Sequence, residues 1–337
     1  MLEHGGRLRA AALRYGIAAE DWLDLSAGIN PHPWPGLQSL QIPTSAWSRL
    51  PEDEDGLIGA ACAAYGAAHA LPVAGTQAAI QALPRLRAPG RVAIETPGYA
   101  EHAQAWQRAG HQCLNWQSEC ADEALLDTLD VLVLMQPSNP GGVRNDPQRL
   151  LAWHERLAAH GGWLVVDEAY VDATPGDSLA ACSQRPGLII LRSLGKFFGL
   201  PGARVGFVLA ARGLLDELAD DLGPWPLAGP SRWLATSALR DMDWQADQRR
   251  HLTEQGRRLA KLLTEYGLPP AGGCALFQWS ITPQAERLYR QLAQRGILVR
   301  LFRSEPGPAS LRFGLPGAES GWQRLTTALK EISSCKP

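Results

Sequence analysis

The sequence predicts an α/β protein: a three-layer α/β/α large domain around a mostly parallel sheet, followed by a smaller α+β domain. Three observations carry this expectation. Short, wholly apolar runs recur between about residues 90 and 195. Stretches with helical periodicity separate them. After about residue 230 a long polar helix gives way to alternating, strand-like segments. Strand, helix, strand in succession implies parallel pairing with helices on both faces.

Residues 1 to about 35 read as an N-terminal arm, because "GINPHPWPG" is too rich in proline and glycine for a long element. "AGTQAAIQAL" (74–83) is a glycine turn opening a helix. "RVAIE" (91–95), "DVLVLM" (130–135), "WLVVDE" (163–168) and "LIILRS" (188–193) read as strands buried on both faces. "PQRLLAWHERLAAHG" (147–161) reads as a helix with a glycine stop. Beyond it, "WQADQRRHLTEQGRRLAKLLTEYG" is a long helix, and "CALFQWSI", "ILVRLF" and "SLRFGLP" supply the second lobe's strands. The expected division is an arm over 1–35, a large domain over 36–230 and a small domain over 231–337.

Composition excludes several classes of function. A net charge of −2 argues against a general nucleic-acid binder. The longest apolar runs, "VLVLM" and "LIIL", are too short to cross a bilayer. The opening "MLEHGGRLRAAALRYG" is too polar for a signal peptide. The six cysteines (62, 113, 120, 182, 274, 335) form no C-x-x-C pair, so no structural zinc or other metal is expected, and reduced cytoplasmic thiols are.

In an open parallel sheet, ligands bind at the carboxyl ends of the strands. "PSNPGG" (137–142), "DEAY" (167–170) and "SLGK" (193–196) all fall at such ends. A lysine amine condenses with aldehydes to form a Schiff base, the usual route to pyridoxal phosphate chemistry. That cofactor asks for a carboxylate at its pyridine nitrogen, and Asp167 can supply one. It asks for amides at a helix start and for a cation at its phosphate. Gly75, Thr76 and Gln77, with Ser193 and Arg204, can supply those. Tyr99 can cover the ring, while Asn139 and Tyr170 can bond its phenolic oxygen. Each has a plainer reading: a solvated lysine, a capping aspartate, an ordinary turn, a surface arginine, rim aromatics. Their joint occurrence, in order and at strand ends, favours Lys196, Asp167 and Tyr170 as catalytic groups.

The chain resembles the fold-type I pyridoxal-phosphate enzymes of the aspartate aminotransferase superfamily, in "PSNPGG", "DEAY", "SLGKFFGLPGARVGF" and "LRFG". The resemblance implies that fold, pyridoxal 5'-phosphate as cofactor, a homodimer, and Arg312 of "LRFG" as the grip on a substrate carboxylate. "HGGRLRAAALRYGI" followed by "DLSAGINPHPWP" resembles the threonine-phosphate decarboxylase branch, which serves cobalamin biosynthesis. That branch implies a small phosphorylated amino acid as substrate and corrinoid-pathway enzymes as neighbours, and the resemblance supports Arg300 and Arg312 as a pair facing the site. His4, the Gly5–Gly6 backbone and Asn30 are the further candidates for holding the substrate's phosphate. A histidinol-phosphate-type aminotransferase and a non-catalytic cofactor-binding partner in corrinoid amidation are the alternatives. Two positions depart from the family. Gly195 stands where many relatives carry a serine or threonine. Asp55 stands where many carry a tyrosine that reaches the partner subunit's phosphate, and an aspartate there must point elsewhere or be neutralised.

Overall fold

The computed structural model describes residues 4–303 and 308–334, so Cys335 lies outside the described residues. The chain divides into two compact units, 33–139 with 144–248, and 1–32 with 140–143 and 249–337.

The larger unit is built on a seven-stranded sheet in the order Leu71–Val73, Gly206–Leu209, Leu188–Ser193, Trp163–Asp167, Val131–Met135, Arg91–Glu95, Gln112–Trp116. The last five strands pair in parallel. Gly206–Leu209 runs antiparallel to its two neighbours, so Leu71–Val73 points the same way as the parallel set. The central strands are apolar throughout because helices cover both faces, and every residue of Val131–Met135 is buried. Leu71–Val73 tolerates Pro72 because it is an edge strand, where a missing amide costs no ladder bond.

The helix Pro147–Ala158 illustrates how the covering layer forms. Asp146 caps it by accepting from the Gln148 amide at 2.9 Å, and Pro147 sits in its first turn. Leu150, Trp153, His154 and Leu157 then recur at helical spacing and are all buried. Each fully buried leucine at such a position contributes roughly 2 kcal/mol of transfer free energy.

The smaller unit carries a four-stranded antiparallel sheet in the order Arg300–Phe302, Ser310–Gly314, Phe277–Ile281, Gly272–Cys274. Leu23–Asp24 pairs in parallel with Ile297–Leu298. The expected single strand "ILVRLF" is therefore two short strands that leave out Val299 and pair with different partners. The N-terminal segment is part of this unit: Ala11 and Trp22 share a core with Ala293 and Leu298. The division also differs from the expected break near residue 230. The helix Gly229–Arg240 stays in the larger unit, where it packs on Leu57–Tyr65, and the units part inside the continuous helix Met242–Glu265.

Candidate active site

One cleft of the larger unit has about 750 Å³ of empty volume and lies at the carboxyl ends of the strands. All ten residues expected at a cofactor line it: Gly75, Thr76, Gln77, Tyr99, Asn139, Asp167, Tyr170, Ser193, Lys196 and Arg204. Met135, Pro137, Ala169, Gly195 and Pro201 complete the wall. The topology explains the convergence. The strands ending at Val73, Glu95, Met135, Asp167 and Ser193 point the same way, so the loops that follow them share one edge.

Local backbone demands fix several of these positions. Gly75 has φ +69°, and a Cβ there would lie 2.6 Å from Arg204 Nη2. Glycine thus lets the helix Thr76–Ala82 begin directly beside the guanidinium. Arg204 itself sits at φ 54°, a left-handed conformation that is costly for a residue with a Cβ, at the end of the turn Pro201–Ala203. Its Nη1 donates to the Pro201 carbonyl at 3.2 Å. Lys196 is half-buried, with its Nζ 5.5 Å from the centre of the Tyr170 ring. At the departure noted above, the Gly195 amide donates to Ser193 Oγ at 3.2 Å.

Asp167 is 7% exposed and both of its oxygens are engaged. Oδ1 accepts from the Ala169 amide at 3.0 Å, so the capping reading holds for that oxygen. Oδ2 meets His102 Nε2 at 3.0 Å. His102, 1% exposed, was not singled out in the sequence. The signal was available in "TPGYAEH", three residues after Tyr99, on the inner side of the helix Ala100–Arg108. Tyr99 donates to Gln77 Oε1 at 3.2 Å, and Gln77 Nε2 donates to Glu101 Oε2 at 2.9 Å. Burial first, then the carboxylates of Glu101 and Asp167, push the Tyr99 phenol up to about 12, with Arg204 opposing them, so it stays protonated at neutral pH.

Behind the cleft lies a buried charge cluster that joins the two strand ends bearing Asp167 and Ser193. Arg192 Nη1 donates to Glu168 Oε2 at 3.1 Å and to Ser178 Oγ at 3.2 Å, and Nη2 pairs with Asp172. The Leu179 amide donates to Glu168 Oε1 at 2.7 Å. The Arg192 guanidinium lies 4.1 Å above the Tyr65 ring. Burial, the largest influence, raises the Glu168 carboxyl above its ordinary value, and Arg192 opposes it. A second buried acid, Glu95, accepts from the Met135 amide at 2.9 Å and from Ser118 Oγ at 3.2 Å. Its burial raises it to about 7 despite those two bonds.

Asp55 is neutralised within the chain. Arg232 Nε donates to its Oδ2 at 2.6 Å and Nη2 to its Oδ1 at 3.0 Å. The same Nη2 reaches the Glu52 carbonyl at 3.1 Å. Asp55 does not line the cleft.

The residues expected at the substrate belong to the smaller unit, with the exception of none among those six. His4, Gly5 and Arg300 line one cavity there, together with Arg7, Arg14, Ser26 and Arg303. Gly6 donates its amide to Ser26 Oγ at 2.7 Å. Arg312, 5% exposed, faces Arg300 across the antiparallel pair and donates from Nη2 to the Ser26 carbonyl at 2.7 Å. Asn30 is 2% exposed and takes the His32 amide on its Oδ1, and neither it nor Gly6 nor Arg312 lines that cavity.

The larger unit's cleft fits pyridoxal 5'-phosphate on its own chemistry. Its lining carries one lysine for the aldehyde and one carboxylate, held by His102, for a pyridinium. Gly75 opens a helix start beside a guanidinium, as a phosphate requires. Among the described residues no cluster of histidine, cysteine or carboxylate side chains is placed to hold a metal.

Comparison with known proteins agrees with this chemistry. The family described as aminotransferase class I and II matches residues 62–329. The chain is 57% identical to the threonine-phosphate decarboxylase of Pseudomonas aeruginosa, over 98% of this chain and 97% of that one. It is 40% identical to the enzyme of the same name from a Sinorhizobium species, over 98% of both chains. Among solved structures, the histidinol-phosphate aminotransferase of Sinorhizobium meliloti in complex with pyridoxal-5'-phosphate superposes with a TM-score of 0.85 at 21% identity, covering 99% of this chain and 95% of that one.

Proposed function

Since the chain belongs to the aminotransferase class I and II family, we propose that it is a pyridoxal-phosphate-dependent carboxy-lyase acting on L-threonine O-3-phosphate, with (R)-1-amino-2-propanol O-2-phosphate as product. The 57% identity to a threonine-phosphate decarboxylase, running over 98% of the chain, carries this reading. We further propose that the product enters the corrinoid nucleotide loop of cobalamin, beside other enzymes of that pathway in the cytoplasm. The five described cysteines are unpaired, which suits a reducing compartment. Among the described residues no helix is long and apolar enough to cross a membrane.

When bound, pyridoxal phosphate supplies an aldehyde for an amine and a ring that accepts electrons from a broken bond at Cα. The protein's residues do the rest. Lys196 Nζ is the amine that would anchor the cofactor through its aldehyde, and it is placed to hold the proton that takes the place of the lost carboxylate on the substrate carbon. Asp167 would pair with the ring nitrogen, and His102 and the Ala169 amide hold its two oxygens in place. Thr76 and Gln77, at the opening Gly75 provides, would hold the phosphate with Ser193 and Arg204. Asn139 and Tyr170 would bond the phenolic oxygen, and Tyr99 would cover one ring face as a neutral phenol.

His4, Gly5, Gly6, Asn30, Arg300 and Arg312 are proposed to bind the substrate's two anionic groups, with Arg312 as a planar fork for a carboxylate or phosphate. Holding the distant phosphate fixes rotation at Cα, so that the carboxylate is the group lost rather than the proton. A homodimer is part of the proposal. Trp47, Leu50, Trp225 and Trp233 are all more than 40% exposed in the larger unit, where the helices Ser45–Ser48 and Gly229–Arg240 pack together, and a second copy would cover them.

The test is direct. Purified protein with pyridoxal phosphate and L-threonine O-3-phosphate releases CO₂ in the absence of any keto acid. Amine exchange that depends on 2-oxoglutarate, with no CO₂, contradicts the assignment and favours the aminotransferase alternative.

A further inference from the structure

Ser26 is 2% exposed, and the elements expected to recognise anions converge on it. Its carbonyl accepts from Arg312 Nη2 at 2.7 Å. Its hydroxyl oxygen accepts from the Gly6 amide at 2.7 Å. The hydroxyl proton goes to Asp24 Oδ1 at 2.6 Å, and the Ser26 amide donates to the same oxygen at 2.8 Å. Gly5 lies so close that a Cβ on it would stand 2.4 Å from the Ser26 carbonyl oxygen.

The direction of these bonds matters. A serine hydroxyl has one proton, and here Asp24 takes it. The oxygen is thereby left as an acceptor, and the charge on Asp24 polarises it toward the Gly6 N–H. Asp24 is itself fixed, because its strand pairs with Ile297–Leu298 in the register Asp24 to Leu298. That partner strand leads to Arg300, which stands opposite Arg312 on the next pair. One buried serine thus ties the N-terminal glycine pair to Arg312. It also lines the cavity that His4, Gly5, Arg7 and Arg300 wall.

We propose that Ser26 is a positioning residue for anion recognition: it holds the Gly5–Gly6 backbone and the Arg312 guanidinium in one arrangement that accepts the phosphate of a phosphorylated amino acid. The proposal rests on the decarboxylase reading for the identity of that substrate, and on the geometry alone for the anion. A role in folding alone would lower stability and leave anion affinity unmoved. A positioning role moves affinity for the phosphate while Lys196 chemistry continues.

The experiment uses the full-length holoenzyme and compares wild type, Ser26→Ala and Ser26→Thr. Calorimetric titration with inorganic phosphate gives a dissociation constant without turnover. Steady-state kinetics with L-threonine O-3-phosphate gives KM and kcat. Losing the Gly6 contact should weaken phosphate binding and raise KM by about tenfold, the equivalent of one hydrogen bond to an oriented donor. It should change kcat less than about threefold, and Ser26→Thr, which keeps the hydroxyl, should restore the wild-type values. Phosphate affinity and KM unchanged in Ser26→Ala, or a loss that Ser26→Thr leaves in place, overturns the proposal. If Ser26→Ala gives no folded holoenzyme, Ser26→Cys keeps the side chain's size with a poorer acceptor and carries the same readouts. A wild type that binds phosphate but releases no CO₂ refutes the decarboxylase reading, and the phosphate titration still decides the role of Ser26.

Discussion

Replacing Asp55 by asparagine isolates what that residue does. Arg232 is 3% exposed, and Asp55 gives it two of its contacts, at 2.6 and 3.0 Å. Asparagine keeps the shape, removes the charge and turns an NH₂ group toward the guanidinium. Stripping one partner from a wholly buried ion pair costs about 3–5 kcal/mol. Two features lower that figure. The Asp55 side chain is 31% exposed, and Asp53 Oδ1 remains 3.2 Å from Arg232. The loss should therefore be about 2 kcal/mol. In a chain of 337 residues this lowers Tm by about 3 °C. The assay is calorimetric unfolding of the holoenzyme, paired with the cofactor's dissociation constant. Stability should fall while cofactor affinity holds, because Asp55 balances a buried cation and does not line the cleft. A Tm within about 1 °C of wild type, or a tenfold loss of cofactor affinity at unchanged Tm, refutes the reasoning.

Two further outcomes follow from buried groups near the cleft. Glu95 is raised to about 7 from an ordinary 4.5, so between those values the folded state holds more protons than the unfolded one, and stability falls as pH rises through that window, by at most roughly 3 kcal/mol. Glu95→Gln should flatten the stability profile between pH 5 and 7, and parallel profiles for variant and wild type count against it. His102→Ala removes a buried partner of Asp167. A hydrogen bond to a charged group is worth about 1.5–3 kcal/mol, so kcat/KM should fall between about tenfold and a hundredfold with the cofactor still attached to Lys196. An unchanged kcat/KM removes His102 from the account.

Much of the fold is legible because burial on both faces leaves a plain mark. "VLVLM" and "LIIL" have no polar positions to mislead, and the loops after such strands must share an edge. The edge strands leave weaker marks. Gln112–Trp116 is mostly half-buried or exposed, and Leu71–Val73 is short and carries a proline, so neither stands out. The parting of the two units leaves no mark at all, since the helix Met242–Glu265 runs through it without a break in composition. The candidate cofactor residues are readable because each sits beside its own strand end in the chain. The side chains and backbone groups that hold them, or that hold other charged groups, are not. His102 lies 65 positions from Asp167, and Arg232 lies 177 from Asp55. Ser26 lies 286 positions from Arg312. Polar side chains that meet only through the fold look, in sequence, like ordinary surface residues.

The central claim is that the amine at position 196 carries the cofactor. Borohydride reduction of the holoenzyme, followed by peptide mapping, tests it most directly. The account predicts a single reduced pyridoxyl adduct on Lys196, absent from Lys196→Ala. A holoenzyme that binds the vitamin yet yields no adduct at that lysine, or yields it on another, contradicts the account.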